Sequence, residues 1–282
     1  MRIGINAIRE GGNIKMDYEF SLAHLTVLQC SPPEMVEIAS KSGYQYVSLR
    51  LTPVTANEPI YSLMDDRKMM KETKTLLADT GIRVLDLELI RMDPATEPET
   101  YVSILEAGGE LNARSVICQL PDPDFKRATE RYARLCDLAK PFGLTVDLEF
   151  LTWTENPDLK SAASVLEAVN RPNAGLLVDT LHFNRSRCSL EDLKHLPREW
   201  FHFVHLCDAR GEIPTTKEGL IHTARSDRYF PGEGDLNLRE ILDCIPIVPY
   251  SLEIPNDALM KELGPEEVAR RAIRAAKKYL AC

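Results

Sequence analysis

No apolar stretch of this 282-residue chain approaches the ~18 residues that cross a bilayer, and the opening MRIGINAIRE has no signal-peptide apolar core. The expectation is a cytoplasmic protein without a membrane partner. Basic charge is also scarce. Thirty-four Lys and Arg face 43 Asp and Glu, a net charge of −9 that argues against a nucleic-acid partner. There is no CxxC pair: the seven cysteines (Cys30, Cys118, Cys136, Cys188, Cys207, Cys244 and Cys282) are odd in number and scattered. This weighs against a disulfide framework and a cysteine zinc site, and reduced thiols are expected. Glycine and proline number 14 and 18, too few for collagen-like or low-complexity chain. No GxGxxG follows the first strand candidate, which weighs against a dinucleotide-binding open sheet. No linker composition divides the chain, so residues 1–282 read as a single domain.

What is present is a repeat of element type. Apolar, strand-like runs occur at 2–8 (RIGINAI), 44–51, 83–90, 115–120, 144–150, 174–181, 201–208 and 249–255. Most are near-continuous, as in parallel strands covered on both faces, and turn polar at their C-terminal ends. Helical patterns separate them. Ser31-Pro32-Pro33-Glu34 combines an N-cap, a Pro at the first position and a capping-box Glu, with Gly43 as the stop. DDRKMMKETKTLLADTG, PETYVSILEAGGELN, FKRATERYARLCDLAKPFG, PDLKSAASVLEAVN, SLEDLKHL, LNLREILDCI and PEEVARRAIRAAKKYLA complete eight. Eight strand–helix units predict an α/β fold, a (β/α)8 TIM barrel. Two long βα loops, 9–30 and 209–236, are expected on the C-terminal face, where barrels build their sites.

Four strands in succession end in a metal-ligand type: Glu149 (VDLEF), Asp179 (LLVDTLH), His205 (FVHLCD) and Glu253 (SLEIP). In a barrel these ends converge. Three carboxylates focused on one point repel, and a divalent cation resolves the conflict. Three oxygen donors and one imidazole suit Mn²⁺ or Mg²⁺, with Co²⁺ or Zn²⁺ as further fits.

The series Glu149, Asp179-Thr180-Leu181-His182, His205 and Glu253, with Arg228 three residues before Pro231 of the PGEGD turn, resembles the xylose isomerase-like TIM barrel superfamily. This is the group of sugar phosphate isomerases and epimerases that includes D-tagatose 3-epimerase and hydroxypyruvate isomerase. The resemblance implies one divalent metal held by Glu149, Asp179, His205 and Glu253, with the substrate between the two glutamates. It implies a metal-stabilised cis-enediolate, with Glu149 and Glu253 as the acid/base pair on a small ketose or keto-polyol. It also implies that His182 and Arg228 bind substrate oxygens.

Further candidates are Glu88, for a substrate hydroxyl or an ion pair with Arg50 or Arg91, and Gln119, as a neutral substrate contact. Arg50 could meet a carboxylate or phosphate, although no phosphate cradle is legible. Asp208 is a candidate behind the metal ligands, and Trp153 and His24 are candidate pocket walls; His195, His202 and His222 read as structural or exposed. The related AP endonucleases carry a trinuclear zinc cluster; with Glu88 and Gln119 where extra histidines would stand, and PGEGD in place of Asp-x-His, this chain departs from them. Two other outcomes stay open: a lyase or dehydratase using the same site, and a non-catalytic sugar-binding barrel. By analogy, homo-oligomerisation through the C-terminal face is expected.

Overall fold

A computed structural model describes residues 7–10, 13–16, 18–55 and 58–280. Ala7–Glu10 (β1) and Asn13–Met16 (β2) pair antiparallel as a separate hairpin. Eight parallel strands close a barrel: Phe20–Ala23 (β3), Tyr46–Arg50 (β4), Arg83–Arg91 (β5), Ser115–Gln119 (β6), Thr145–Glu149 (β7), Ala174–Asp179 (β8), Val204–Leu206 (β9) and Tyr250–Leu252 (β10), with β10 hydrogen-bonded to β3.

The expected first strand at 2–8 is therefore corrected. Residues 2–6 lie outside the described residues, 7–10 belong to the hairpin, and the barrel begins at Phe20. The true strand, FSLA, is four residues long and turns Ser21 toward a buried hydroxyl, Ser48 Oγ at 2.9 Å, so it shows no apolar run.

Period-two alternation divides each strand between two cores. Val47, Leu49, Val116, Cys118, Val146, Leu148, Leu176 and Val178 face the helices in the main core. Tyr46, Ile117, Leu177 and Phe203 form a smaller cluster inside the barrel. From β4 to β9 a polar residue stands at the mouth end of each strand: Arg50, Glu88, Gln119, Glu149, Asp179 and His205.

The helices are Pro32–Ser42 (α1), Arg67–Thr80 (α2), Val102–Glu110 (α3), Phe125–Ala139 (α4), Leu159–Val169 (α5), Thr180–Arg185 (α6), Leu190–Lys194 (α7), Lys217–Ser226 (α8), Leu238–Asp243 (α9) and Asp257–Leu280 (α10). The capping box at Ser31 and Glu34 forms, and Gly43 ends α1 at φ 86°, a left-handed turn that suits glycine. Two short helices went unread, α6 and α8; α8 lies in the long 209–236 connection. α10 bends at Gly264 just before Pro265, where the expected helix begins. No helix among the described residues is long and apolar enough to cross a membrane.

Toward the N-terminal end of the barrel, buried Asp147 accepts from Ser115 and Thr145, and lies 2.7 Å from His202 Nδ1. Burial opposes the imidazolium, but the Asp147 carboxylate outweighs it and raises His202 above its ordinary value. A histidine raised on folding stabilises most below its unfolded pKa of about 6.5, and that contribution is lost as pH climbs through the folded value. The stability difference between wild type and His202→Asn is therefore expected to shrink as pH rises above about 6.5. Chemical denaturation at a series of pH values measures it; a difference that grows with pH would reject the pairing.

Candidate active site

Strand register sets the site residues side by side at the C-terminal mouth. Arg50 pairs with Glu88 across β4 and β5, Gln119 with Glu149 across β6 and β7, and Asp179 with His205 across β8 and β9. Glu253 follows β10 directly. All four candidate ligands are buried.

His205 Nδ1 lies 3.9 Å from Glu149 Oε1, 3.8 Å from Asp179 Oδ2 and 3.4 Å from Glu253 Oε2. Burial disfavours its charged form, yet Glu253, Glu149 and Asp179 together push its pKa up to about 10. Glu149 is pushed up to about 7, first by burial and then by the neighbouring Glu253. Burial would raise Glu253 as well, but His205 and Arg228 hold it below the usual carboxylate range. Three carboxylates thus share one small volume, and the cations offsetting them are His205 and Arg228.

The surrounding residues fix the ligands in place. Gln119 Nε2 donates to Glu149 Oε2 at 2.6 Å. Arg228, fully buried, donates Nη1 to Asp179 Oδ2 at 2.7 Å, and its Nη2 meets Glu253 Oε2 at 2.9 Å; its Nε–H donates to the Ala224 carbonyl. Glu88 receives Arg50 at 2.8 Å, the ion-pair alternative for that residue. His182 Nε2 stands 4.0 Å from Asp179 Oδ2, with the Trp153 ring edge-on at 5.2 Å. Burial lowers the pKa of His182 to about 4, so it is neutral. Glu88, Gln119, Glu149, His182, Arg228 and Glu253 all line one cavity of about 550 Å³, its open mouth included.

Two candidates lie elsewhere. His24 is buried behind β4: it accepts the Arg50 N–H at Nδ1, and its Nε2 lies 2.9 Å from the Cys30 carbonyl oxygen. Both nitrogens are engaged, and burial holds its pKa to about 4, so it neither walls the cavity nor offers a proton there. Asp208 faces away from the ligands and accepts the N–H groups of Ala209, Gly232 and Leu236, tying down the PGEGD turn. Gly234 is required there, because a Cβ would stand 2.4 Å from the Ala209 carbonyl oxygen.

Asp86 was missed by sequence reasoning. It is fully buried two residues before Glu88, on the same face of β5, and accepts from Ser48. Its carboxylate, that of Glu88 and an imidazole nitrogen of His205 lie within 4.8 Å of one another. The signal was legible: a charged residue on the interior file of an otherwise apolar strand.

The donors fit a divalent ion. Both ring nitrogens of His205 are buried without a hydrogen-bond partner, and a metal bond would satisfy one of them. Ligand atoms of Asp179, His205 and Glu253 fall within 4.8 Å of one another, as do those of Glu149, Asp179 and His182.

Eight parallel strands closed on themselves, with acidic and histidine side chains gathered at one mouth, define a (β/α)8 barrel of the enzyme type. The chain belongs to the xylose isomerase-like TIM barrel family, whose model matches residues 36–279. Inosose isomerase of Halalkalibacterium halodurans is 25% identical over 260 residues, 86% of this chain and 87% of that protein. L-ribulose 3-epimerase of Mesorhizobium japonicum is 24% identical over 199 residues, 69% of this chain and 59% of that one. Among solved structures, the IOLI protein with a bound zinc atom superposes with a TM-score of 0.78 at 20% identity, over 93% of this chain and 98% of that chain, a likeness of fold.

Proposed function

We propose that the protein is a divalent-metal-dependent isomerase or epimerase acting on a small ketose or keto-polyol. Glu149, Asp179, His205 and Glu253 hold the ion, Mn²⁺ or Mg²⁺, and Glu149 and Glu253 carry the proton. The observation that supports this most directly is the buried imidazole of His205, without a hydrogen-bond partner at either nitrogen and ringed by three carboxylates. The named relatives, an isomerase and an epimerase, agree with it.

When bound, the ion supplies positive charge that polarises the substrate carbonyl and acidifies the adjoining C–H. One glutamate takes that proton and the other returns one, to the neighbouring carbon or to the opposite face of the same carbon. Gln119 keeps the Glu149 carboxylate turned into the cavity. Arg228 keeps Glu253 and Asp179 in place. Neutral His182, its Nδ1 buried and unpartnered, is placed to hydrogen-bond a substrate oxygen. Trp153 packs against that ring and fixes its angle.

NMR of the Mg²⁺-loaded protein with ketoses, keto-acids and inososes in D₂O tests the reading. Deuterium is expected at the carbon beside the carbonyl, with the skeleton intact and only while metal is present. A product lighter by water would make the protein a lyase, and absence of metal-dependent exchange on every substrate would reject catalysis of this kind.

A further inference from the structure

Among the described residues, two of the four arginines that line the cavity make no ion pair or hydrogen bond through the guanidinium. Arg50 meets Glu88 at 2.8 Å and Glu58 at 3.3 Å, and Arg228 meets Asp179 and Glu253 at 2.7 and 2.9 Å. Arg91 ends β5, and Arg225 lies in the last turn of α8. Neither guanidinium forms an ion pair or hydrogen bond among the described residues. Both line the cavity over Glu149, His205 and Glu253, and both continue into the adjoining opening beside Trp153 and Lys217.

Arg225 is half-buried. Burial holds it below its ordinary value; Glu58 opposes this, and the smaller effects of the like charges of Arg50 and Arg91 add to it. Nearby carboxylates are already engaged. Glu58 accepts from Arg50, the Val54 N–H and the Thr55 hydroxyl. Asp93 accepts from the Ala95 N–H and the Thr96 hydroxyl, and Glu155 is exposed on the outer rim. A half-buried cation without an ion pair or hydrogen bond is an unfavourable arrangement that a bound anion would relieve.

We propose that Arg91 and Arg225 bind an anionic group, a carboxylate or a phosphate, at the end of the substrate away from the reacting carbon. The substrate is then a keto-polyol acid or a sugar phosphate, not a neutral sugar. This deepens the reading of the cavity as a catalytic site and rests on it. Planar guanidinium forks match both anions in bidentate geometry. A chain of net charge −9 repels an anion at long range, so a local positive mouth has a clear task in capturing one.

The test is calorimetric titration of the Mn²⁺-loaded protein at low ionic strength with D-arabinitol, D-arabinonate and D-arabinitol 5-phosphate. At least one anion is expected to bind about ten-fold or more tightly than the neutral polyol, the range of charge-assisted hydrogen bonds. Arg91→Gln and Arg225→Gln should each remove most of that advantage, and Arg225→Lys should keep part of it. A preference for arabinonate alone would name a carboxylate, for the phosphate alone a phosphate, and for both a shared subsite. Equal affinity for all three, or no binding of any at millimolar concentration, overturns the proposal. So does an anion preference that survives in both glutamine variants, since the anion would then sit on the metal. Deuterium exchange reads the reaction separately. Exchange on neutral ketoses without an anion preference removes this inference alone; an anion preference without exchange on any substrate removes the catalytic reading alone.

Discussion

Glu149→Gln and Glu253→Gln are each expected to lower metal-dependent turnover by about a thousand-fold or more while the barrel stays folded. The amide preserves volume, so the core around the mouth is not opened. What changes is charge and proton affinity. Each substitution removes one of the three carboxylates around His205 and one of the two groups proposed to move the proton. Loss of an acid/base group alone is worth about 10² to 10⁴ in rate, and weaker metal binding adds to it. The two variants should differ in metal affinity. Glu253 also faces Arg228, which a glutamine would still engage, whereas Glu149 has the neutral Gln119 as its partner. Steady-state turnover at saturating metal, with equilibrium dialysis for the ion, separates the contributions. Either variant retaining wild-type turnover would end the two-glutamate mechanism.

Replacing Arg228 by methionine is expected to give the largest loss of stability in the metal-free protein. Arg228 is 1% exposed and satisfies two buried carboxylates, Asp179 and Glu253, from the far side of the cluster. Methionine keeps the stem volume but strands both charges. Removing one partner of a buried ion pair costs about 3–5 kcal/mol. In a chain of this length, that lowers the unfolding midpoint by roughly 6–20 °C. Added Mn²⁺ should restore part of the loss, because a cation then meets the same two carboxylates. Thermal unfolding in EDTA and in Mn²⁺ checks both statements. An unchanged midpoint in EDTA, or equal losses with and without the ion, would show that Arg228 does not neutralise the cluster.

The four candidate ligands could be read from sequence because each ends a strand, and strand ends in a barrel converge without further information. Glu149, Asp179, His205 and Glu253 indeed meet at one mouth. The same reading failed at the first strand, where RIGINAI was more apolar than FSLA. Apolar runs report burial on two faces, and β3 turns Ser21 into the barrel. It also placed His24 at the pocket wall, because position after a strand does not reveal which way a ring turns. Here the ring turns away from the cavity, to Cys30 and the Arg50 backbone.

The alternation of strand and helix, the parallel barrel and the polar strand ends were determined by sequence alone, since period, caps and strand ends are local properties. Which arginines neutralise which carboxylates was decided only by the tertiary structure. Arg50 finds Glu88 38 residues away, and Arg228 finds Asp179 49 residues away. Arg91 and Arg225 make no ion pair or side-chain hydrogen bond among the described residues, and feel Asp93 and Glu58 only through space. Such pairings follow from strand register and from the path of the 209–236 connection, and a short-range pattern holds no record of either.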